Sequence, residues 1–299
     1  MELGAGRVGT FLGLKWAIVT FFVTGMLWVG NLEPALANDA ISESFIEVPI
    51  TTRINQFDYS EWACGPAAVL TLIANAPTLK DVYEKIPGAS SSQKLEYVIR
   101  HHGFILSEDH EGRRHRFHPE QGISAVDLRY FSEDILNDFS TNHPLTGSYL
   151  DRTDEEVKHP GAYVRRIHQM LKTSLTAGVP VVVHLRSFSV GPDPKTSEPV
   201  WKGLSSHYGV ITKIPAELKS YDLGFSFEYV DPAGGKTYSG YLSEENIHPF
   251  AAAKGNTEKW EWLSNSPYLL ATLPAVGLEE VHWSQRKIFV LSYALGQFE

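Results

Sequence analysis

"INQFDYSEWACGPAAVLTLIAN", residues 54–75, carries the only cysteine of the chain, Cys64, where a helix is expected to begin. Gly65 and Pro66 are tolerated in a first helical turn, whose N–H groups need no intrahelical partner. The residues that follow, Ala67, Ala68, Val69, Leu70, Leu72 and Ile73, make the helix apolar on most sides and predict that it is buried. Pro77 ends it. Free N–H groups and the macrodipole at such a start favour an anion. That suits a cysteine, which attacks carbonyls only as thiolate and needs its ordinary pKa of about 8.5 lowered to do so. By count alone a single cysteine reads equally well as a small core residue. The partners elsewhere in the chain decide between the two.

Upstream, residues 1–37 read as a signal peptide. Arg7 and Lys15 precede the apolar run "WAIVTFFVTGMLWVG" (16–30), and "ALA" (35–37) follows as a small-x-small cleavage signature. The run is shorter than the ~20 residues a spanning helix needs, so a retained anchor is the alternative. This predicts an exported protein, periplasmic or extracellular, whose contact with a membrane would come only through an uncleaved N-terminal segment. In an exported chain an unpaired cysteine points to a reactive thiol or an intermolecular partner. The net charge of −9, with no long Lys/Arg run, argues against nucleic-acid binding.

Downstream, "TLKDVYEKI" (78–86), with Thr78 as cap, reads as a short helix, and "SSQKLEYVIRHHG" (91–103) as another with a serine cap and Gly103 as stop. "AVDLRYFSEDILNDF" (125–139) and "AYVRRIHQMLKTSLTAG" (162–178) are amphipathic helices, the second stopped by Gly178. After Gly178 the period changes. "FIEVPI" near the start and "VPVVVHLRSF", "HYGVITKI", "FSFEYVD" and "KIFVLSYAL" are rich in β-branched and aromatic residues and read as strands. Residues 189–206 read as a loop and "SEENIHPFAA" (243–252) as a short helix. A helical first half before a strand-rich second half predicts an α+β fold, as one domain over residues 38–299.

A catalytic thiolate needs a histidine to hold the proton and a third group to orient that histidine. His207 opens the strand "HYGVITKI", and Asp231 ends "FSFEYVD" beside a turn; two neighbouring antiparallel strands would bring them together. Gln56 precedes Cys64 in the same loop and can donate to an oxyanion together with the Cys64 N–H.

"INQFDYSEWACGPAAVLTLI", "SSHYGVITKI" and "YVDPAGG" together resemble the papain-like cysteine peptidases, and among them family thirty-nine, the peptidases that trim double-glycine leaders from bacteriocins. The family pattern is a glutamine, then Cys-Gly-Pro, then a strand-opening histidine, then Asp-Pro. Gln56, Cys64, His207 and Asp231 match it one by one. The resemblance implies a papain-like α+β fold, with a helical half carrying the nucleophile packed against a C-terminal antiparallel sheet. It also implies Cys64 as nucleophile, His207 as general base and acid, Asp231 as its orienter and Gln56 as oxyanion donor. The activity implied is a cysteine peptidase or amidase acting on a peptide or protein through a thioacyl-enzyme, with no cofactor and no metal. Ser206 stands where the family commonly has glycine, and this chain shows no transporter region, so the bacteriocin substrate does not carry over. Transpeptidase, phytochelatin-synthase-like or transglutaminase-like acyl transfer is the alternative from the same chemistry, and a catalytically silent peptide-binding homologue the alternative from another class.

Plainer roles stand beside these. His184 is the rival base, Asp231 before Pro232 also suits a turn, and Trp62 reads as wall or core. The stretch "HHGFILSEDHEGRRHRFH" (101–118) lacks the short paired spacings of compact zinc sites and reads as a solvated loop. "AGG" (233–235) reads as a turn, since no helix with Lys-Ser or Lys-Thr follows it.

Overall fold

The computed structural model describes residues 44–140, 144–192, 199–244, 250–253, 260–263, 268–273 and 286–299, and the expected signal segment lies outside them. Residues Ser42–Glu299 form one compact unit. After β1 (Phe45–Glu47) the chain runs through a 3-10 turn at Gln56–Asp58 into α1 (Cys64–Asn75). A 3-10 turn at Pro77–Leu79 leads to α2 (Lys80–Lys85) and α3 (Ser91–Val98), which closes in a π turn at Ile99–Gly103. The short pair β2 (Phe117–His118) and β3 (Gly122–Ile123) precedes α4 (Ala125–Phe139), β4 (Thr146–Tyr149), α5 (Asp154–Lys158) and α6 (Ala162–Thr176). The strands β5 (Val181–Pro192), β6 (Pro199–Pro215), β7 (Gly224–Asp231) and β8 (Lys236–Ser243) follow, then the pair β9 (Phe250–Ala253) and β10 (Trp260–Leu263), then β11 (Leu269–Thr272) and β12 (Arg286–Gly296).

The strands correct the expected papain-like α+β arrangement. The main sheet runs β6-β5-β12-β11-β8-β7, and β7 pairs back onto β6, with Val210 opposite Val230 and Ile211 opposite Tyr229. Every pairing is antiparallel, so the sheet is a closed six-stranded barrel, with β1 added to β6 and β4 to β12. The helical half therefore meets a barrel and not an open sheet. Two of the six strands carry little sequence signal. β8 is polar, with Tyr238 and Gly240 the only half-covered positions before Leu242, and β11 has four residues. Without them the strands read from sequence cannot close a ring.

Two apolar clusters divide the core. One contains Val181, Val183, Leu185, Ile211, Phe225, Phe227, Tyr229, Leu242, Leu269, Ala271 and Leu291, residues from all six barrel strands, and is the barrel interior, completed by Tyr163, Ile167 and Leu171 of α6. The other packs α1, α2, α3 and α4 against Val182, Tyr208, Val210 and Val230 on the outward face. Both faces of β5 are thus covered, which is why "VVVHL" reads as a continuous apolar run. α1 is buried from Cys64 through Ala74, and its aliphatic side chains contribute about 1.5–3 kcal/mol each.

Local chemistry accounts for several boundaries. Ser90 and Ser124 cap α3 and α4 by accepting from Gln93 N and Asp127 N, and Gly178, with φ 77°, follows α6. Thr78 does not cap α2, which begins from Leu79 with no side-chain cap. Residues 189–192 and 199–206, expected as loop, extend the β5–β6 hairpin, so His207 lies inside β6 and does not open it. The helix expected over 243–252 is also not found: Phe250–Ala253 is β9, while 245–249 lie outside the described residues. Residues 101–118 are not simply solvated, because Arg116 is buried between Glu108 and Asp134 (Nη1 to Oδ2, 2.5 Å) and His102 is buried with Nε2 3.7 Å from Asp138. No helix among the described residues is long and apolar enough to cross a membrane.

Candidate active site

Cys64 is the first residue of α1, and Ala63 before it provides no side-chain cap. First-turn N–H groups are therefore left for another acceptor. The Cys64 sulfur lies near the His207 side chain and the Gly65 and Tyr208 backbone N–H groups, each of which favours the thiolate. Gly65 makes this approach possible, because a Cβ there would lie 2.5 Å from Ile123 Cγ2 and 3.2 Å from the Tyr208 ring. The helix start is thus pressed onto β6 beside the histidine.

His207 and Asp231 lie beyond the Val210–Val230 pair that joins β6 to β7. His207 Nε2 is 2.7 Å from Asp231 Oδ1, and both side chains are buried. Asp231 Oδ1 also accepts from Ala233 N at 2.8 Å, so the acid and the turn share one carboxylate. With Nε2 committed to Asp231, Nδ1 is the nitrogen that faces Cys64. Burial opposes charge on both partners, yet the pair overrides it. Burial pushes the Cys64 thiol up, while the bond and charge of His207 and the two backbone N–H groups bring it below its ordinary value. For His207 burial works downward, but bonds to Asp231 and Cys64 push its pKa up to about 10. A lowered thiol beside an imidazole raised to about 10 favours the thiolate–imidazolium form of the pair.

Gln56 reaches the same place by another route. Its N–H donates to Pro232 O at 2.9 Å, one residue beyond Asp231. The side chain is buried; Nε2 donates to Glu61 O at 2.5 Å, and Oε1 has no partner among the described residues. His207 and Asp231 are thus hydrogen-bonded, Cys64 is electrostatically coupled to His207, and Gln56 docks on the turn that follows the acid.

His184 does not compete. Its Nδ1 lies 3.0 Å from Ser292 Oγ, its ring packs 4.7 Å from that of Tyr208, and burial, with Arg186 and His207 nearby, lowers its pKa to about 3. It stays neutral and structural. Trp62 is partly exposed beside the nucleophile, and its carbonyl lies under Gly122, where a Cβ would come within 3.0 Å of the oxygen. "AGG" is a turn, with Gly234 and Gly235 at φ 88° and 65°. Outside the site, ligand atoms of Asp109, His110 and Asp127 come within 4.8 Å of one another, but the buried Asp127 carboxylate already accepts from Ser107 Oγ, Ser124 Oγ and Glu108 N.

Sequence reasoning missed the residues that hold Gln56 in place. Thr71 Oγ1 accepts from Ile54 N, and the Asn75 side chain accepts from Thr51 N and Thr52 N while donating to Thr52 O. Asn55 Oδ1 accepts from Gly234 N. Polar side chains on an apolar helix, Thr71 and Asn75 one turn apart, were the available signal. No family model matches the chain, and no curated protein matches its sequence.

Proposed function

We propose that the protein is a cysteine peptidase or amidase that cleaves a peptide or isopeptide bond through a thioacyl-enzyme. The observation that carries this reading is the buried Cys64–His207–Asp231 relay, in which the thiol is depressed and the imidazole raised by mutual contact. Cys64 Sγ attacks the carbonyl carbon, forming the S–C bond while the C=O π pair moves to oxygen. The Cys64 N–H and the Gln56 Nε2 hydrogen not bonded to Glu61 O receive that oxyanion, a class of contact worth about 10²–10³ in rate. As the intermediate collapses the C–N bond breaks, and His207 Nδ1 gives its proton to the leaving amine. Water then attacks the thioester, neutral His207 takes its proton, and the carboxylate product leaves the restored ion pair. Asp231 holds Nε2 throughout and so fixes which nitrogen works on sulfur. The sequence resemblance to family thirty-nine peptidases supports the same chemistry.

The test is the rate of Cys64 alkylation by iodoacetamide against pH. If the pair works as a nucleophile and base, wild type reacts below pH 7, in the direction in which His207 and the backbone N–H groups lower the thiol. In His207→Ala the upward push of burial loses its main opponent, so reactivity should move above the ordinary thiol value. A wild-type thiol inert below pH 7 would sink the reading, and an unchanged profile in His207→Ala would remove His207 as base.

A further inference from the structure

The nucleophile and its base are fixed by regular elements, Cys64 by α1 and His207 and Asp231 by paired strands. Gln56 is not. It sits on a three-residue 3-10 turn, and its main-chain link to the acid turn is the single bond from its N–H to Pro232 O. Asn55 stands beside it with both ends of its amide engaged. Oδ1 accepts from Phe57 N at 3.3 Å, capping the turn that carries Gln56, and from Gly234 N at 3.1 Å, across 179 residues of chain. Nδ2 donates to Asp58 Oδ1 at 3.3 Å. Arg53 reinforces the same junction, with Nη1 3.4 Å from Gly235 O.

We propose that Asn55 is a positioning residue that clasps the Gln56 turn to the Asp231–Gly235 turn and so sets the oxyanion donor relative to the thiolate. This rests on the peptidase reading above and adds a residue to it. Asn55 touches neither Cys64 nor His207 by hydrogen bond among the described residues, so it acts on the stabilisation of the oxyanion and not on the nucleophile. Two reagents separate those effects. Iodoacetamide is displaced at a saturated carbon and needs only the thiolate. p-Nitrophenyl acetate is attacked at a carbonyl, so its acyl transfer to Sγ, with p-nitrophenolate leaving, passes through an oxyanion.

Three variants divide the clasp. Asn55→Ala removes both acceptor contacts. Asn55→Ser keeps an oxygen able to cap Phe57 N but is too short to reach Gly234. The exchange Asn55→Asp with Asp58→Asn keeps an acceptor at one position and a donor at the other. Asn55→Ala and Asn55→Ser should acylate with p-nitrophenyl acetate about 10- to 100-fold more slowly than wild type. Their iodoacetamide rates and pH profiles should match wild type, which also shows that they fold. The exchange variant should recover acylation to within about threefold.

Wild-type acylation in Asn55→Ser overturns the proposal, as does an exchange variant as slow as Asn55→Ala. A parallel fall in the iodoacetamide rate overturns it too, because the residue would then act on the thiolate or the fold. A wild-type protein that iodoacetamide does not modify at acidic pH marks a different failure, that of the nucleophile itself, and takes the clasp with it.

Discussion

At the scale of single residues, the site depends as much on what is missing as on what is present. Gly65 lacks the Cβ that would strike Ile123 Cγ2, a methyl on a β-branched side chain with little freedom to move. Gly65→Ala should therefore cost about 1–3 kcal/mol by overpacking, read as a lowered urea midpoint at unchanged m-value. It should also raise the thiol pKa, since pushing α1 off β6 moves the sulfur away from the Tyr208 N–H and His207, which both lower it; an unchanged midpoint would show that the contact relaxes freely. Cys64 and Asp231 could be singled out in sequence because a reactive residue type stands at a helix start and at a strand end, whereas His207, expected to open a strand, lies inside β6. Asn55 and the Tyr208 N–H could not be singled out. Their roles arise only when residues far apart in the chain are brought together, and nothing local distinguishes a loop asparagine that bridges two turns from one that faces water.

At the scale of elements, the arm over residues 51–56 has no ladder of its own and borrows order from α1. Asn75 is the main fastening: its amide meets Thr51 N, Thr52 N, Thr52 O and Thr71 O, and Thr71 holds Ile54. Asn75→Ala leaves those backbone groups to water or unpaired and should destabilise by about 1–3 kcal/mol. If the arm transmits order to Gln56, the variant should also slow p-nitrophenyl acetate acylation while sparing alkylation by iodoacetamide. Equal slowing of both reactions would place the effect on α1 itself. Element recognition failed where signals were weak or conflicting. α4 was read to the residue and α6 to within two residues at its C-terminal end, because their apolar stripes repeat over fifteen residues. α5 has five residues, too few for a period, although its capping box of Thr153 and Glu156 was visible in "TDEE". The prolines and glycines of residues 189–206 suggested a loop, but Pro192 and Pro199 stand opposite each other as the last described pair of the β5–β6 ladder, where a missing donor costs little.

At the scale of the whole molecule, closing the barrel is the step the sequence did not reveal, and it places His207 and Asp231 at the β6–β7 seam. Burying a barrel interior and a helical layer also buries ionisable groups, and this sets the response to acid. His102, His168 and His184 are all lowered from 6.5, chiefly by burial, and are neutral in the folded state. Unfolding lets each bind a proton, so their contribution is present above pH 6.5 and is lost as pH falls towards their folded values. Cys64 acts in the same direction, since its pKa is lowered from 9.0 on folding and its contribution falls as pH drops below that value. His207 has the opposite sign: raised to about 10, it stabilises fully below 6.5 and loses that stability as pH rises towards 10, so it adds no slope on the acid side. Glu108 and Glu156, lowered from 4.5 by Arg116 and Arg166 against the opposing effect of burial, lose their contribution only below about 4.5. Between pH 6.5 and about 5 the buried histidines therefore contribute a decline in stability. Urea unfolding across that window should show a midpoint falling with pH. His184→Asn, whose amide can pair with Ser292 Oγ as donor or acceptor but cannot titrate, should flatten the slope by part of the ~1.4 kcal/mol per pH unit that one proton carries. A slope identical to wild type would mean that His184 is already charged in the folded protein, and its neutral packing against Tyr208 would have to be abandoned.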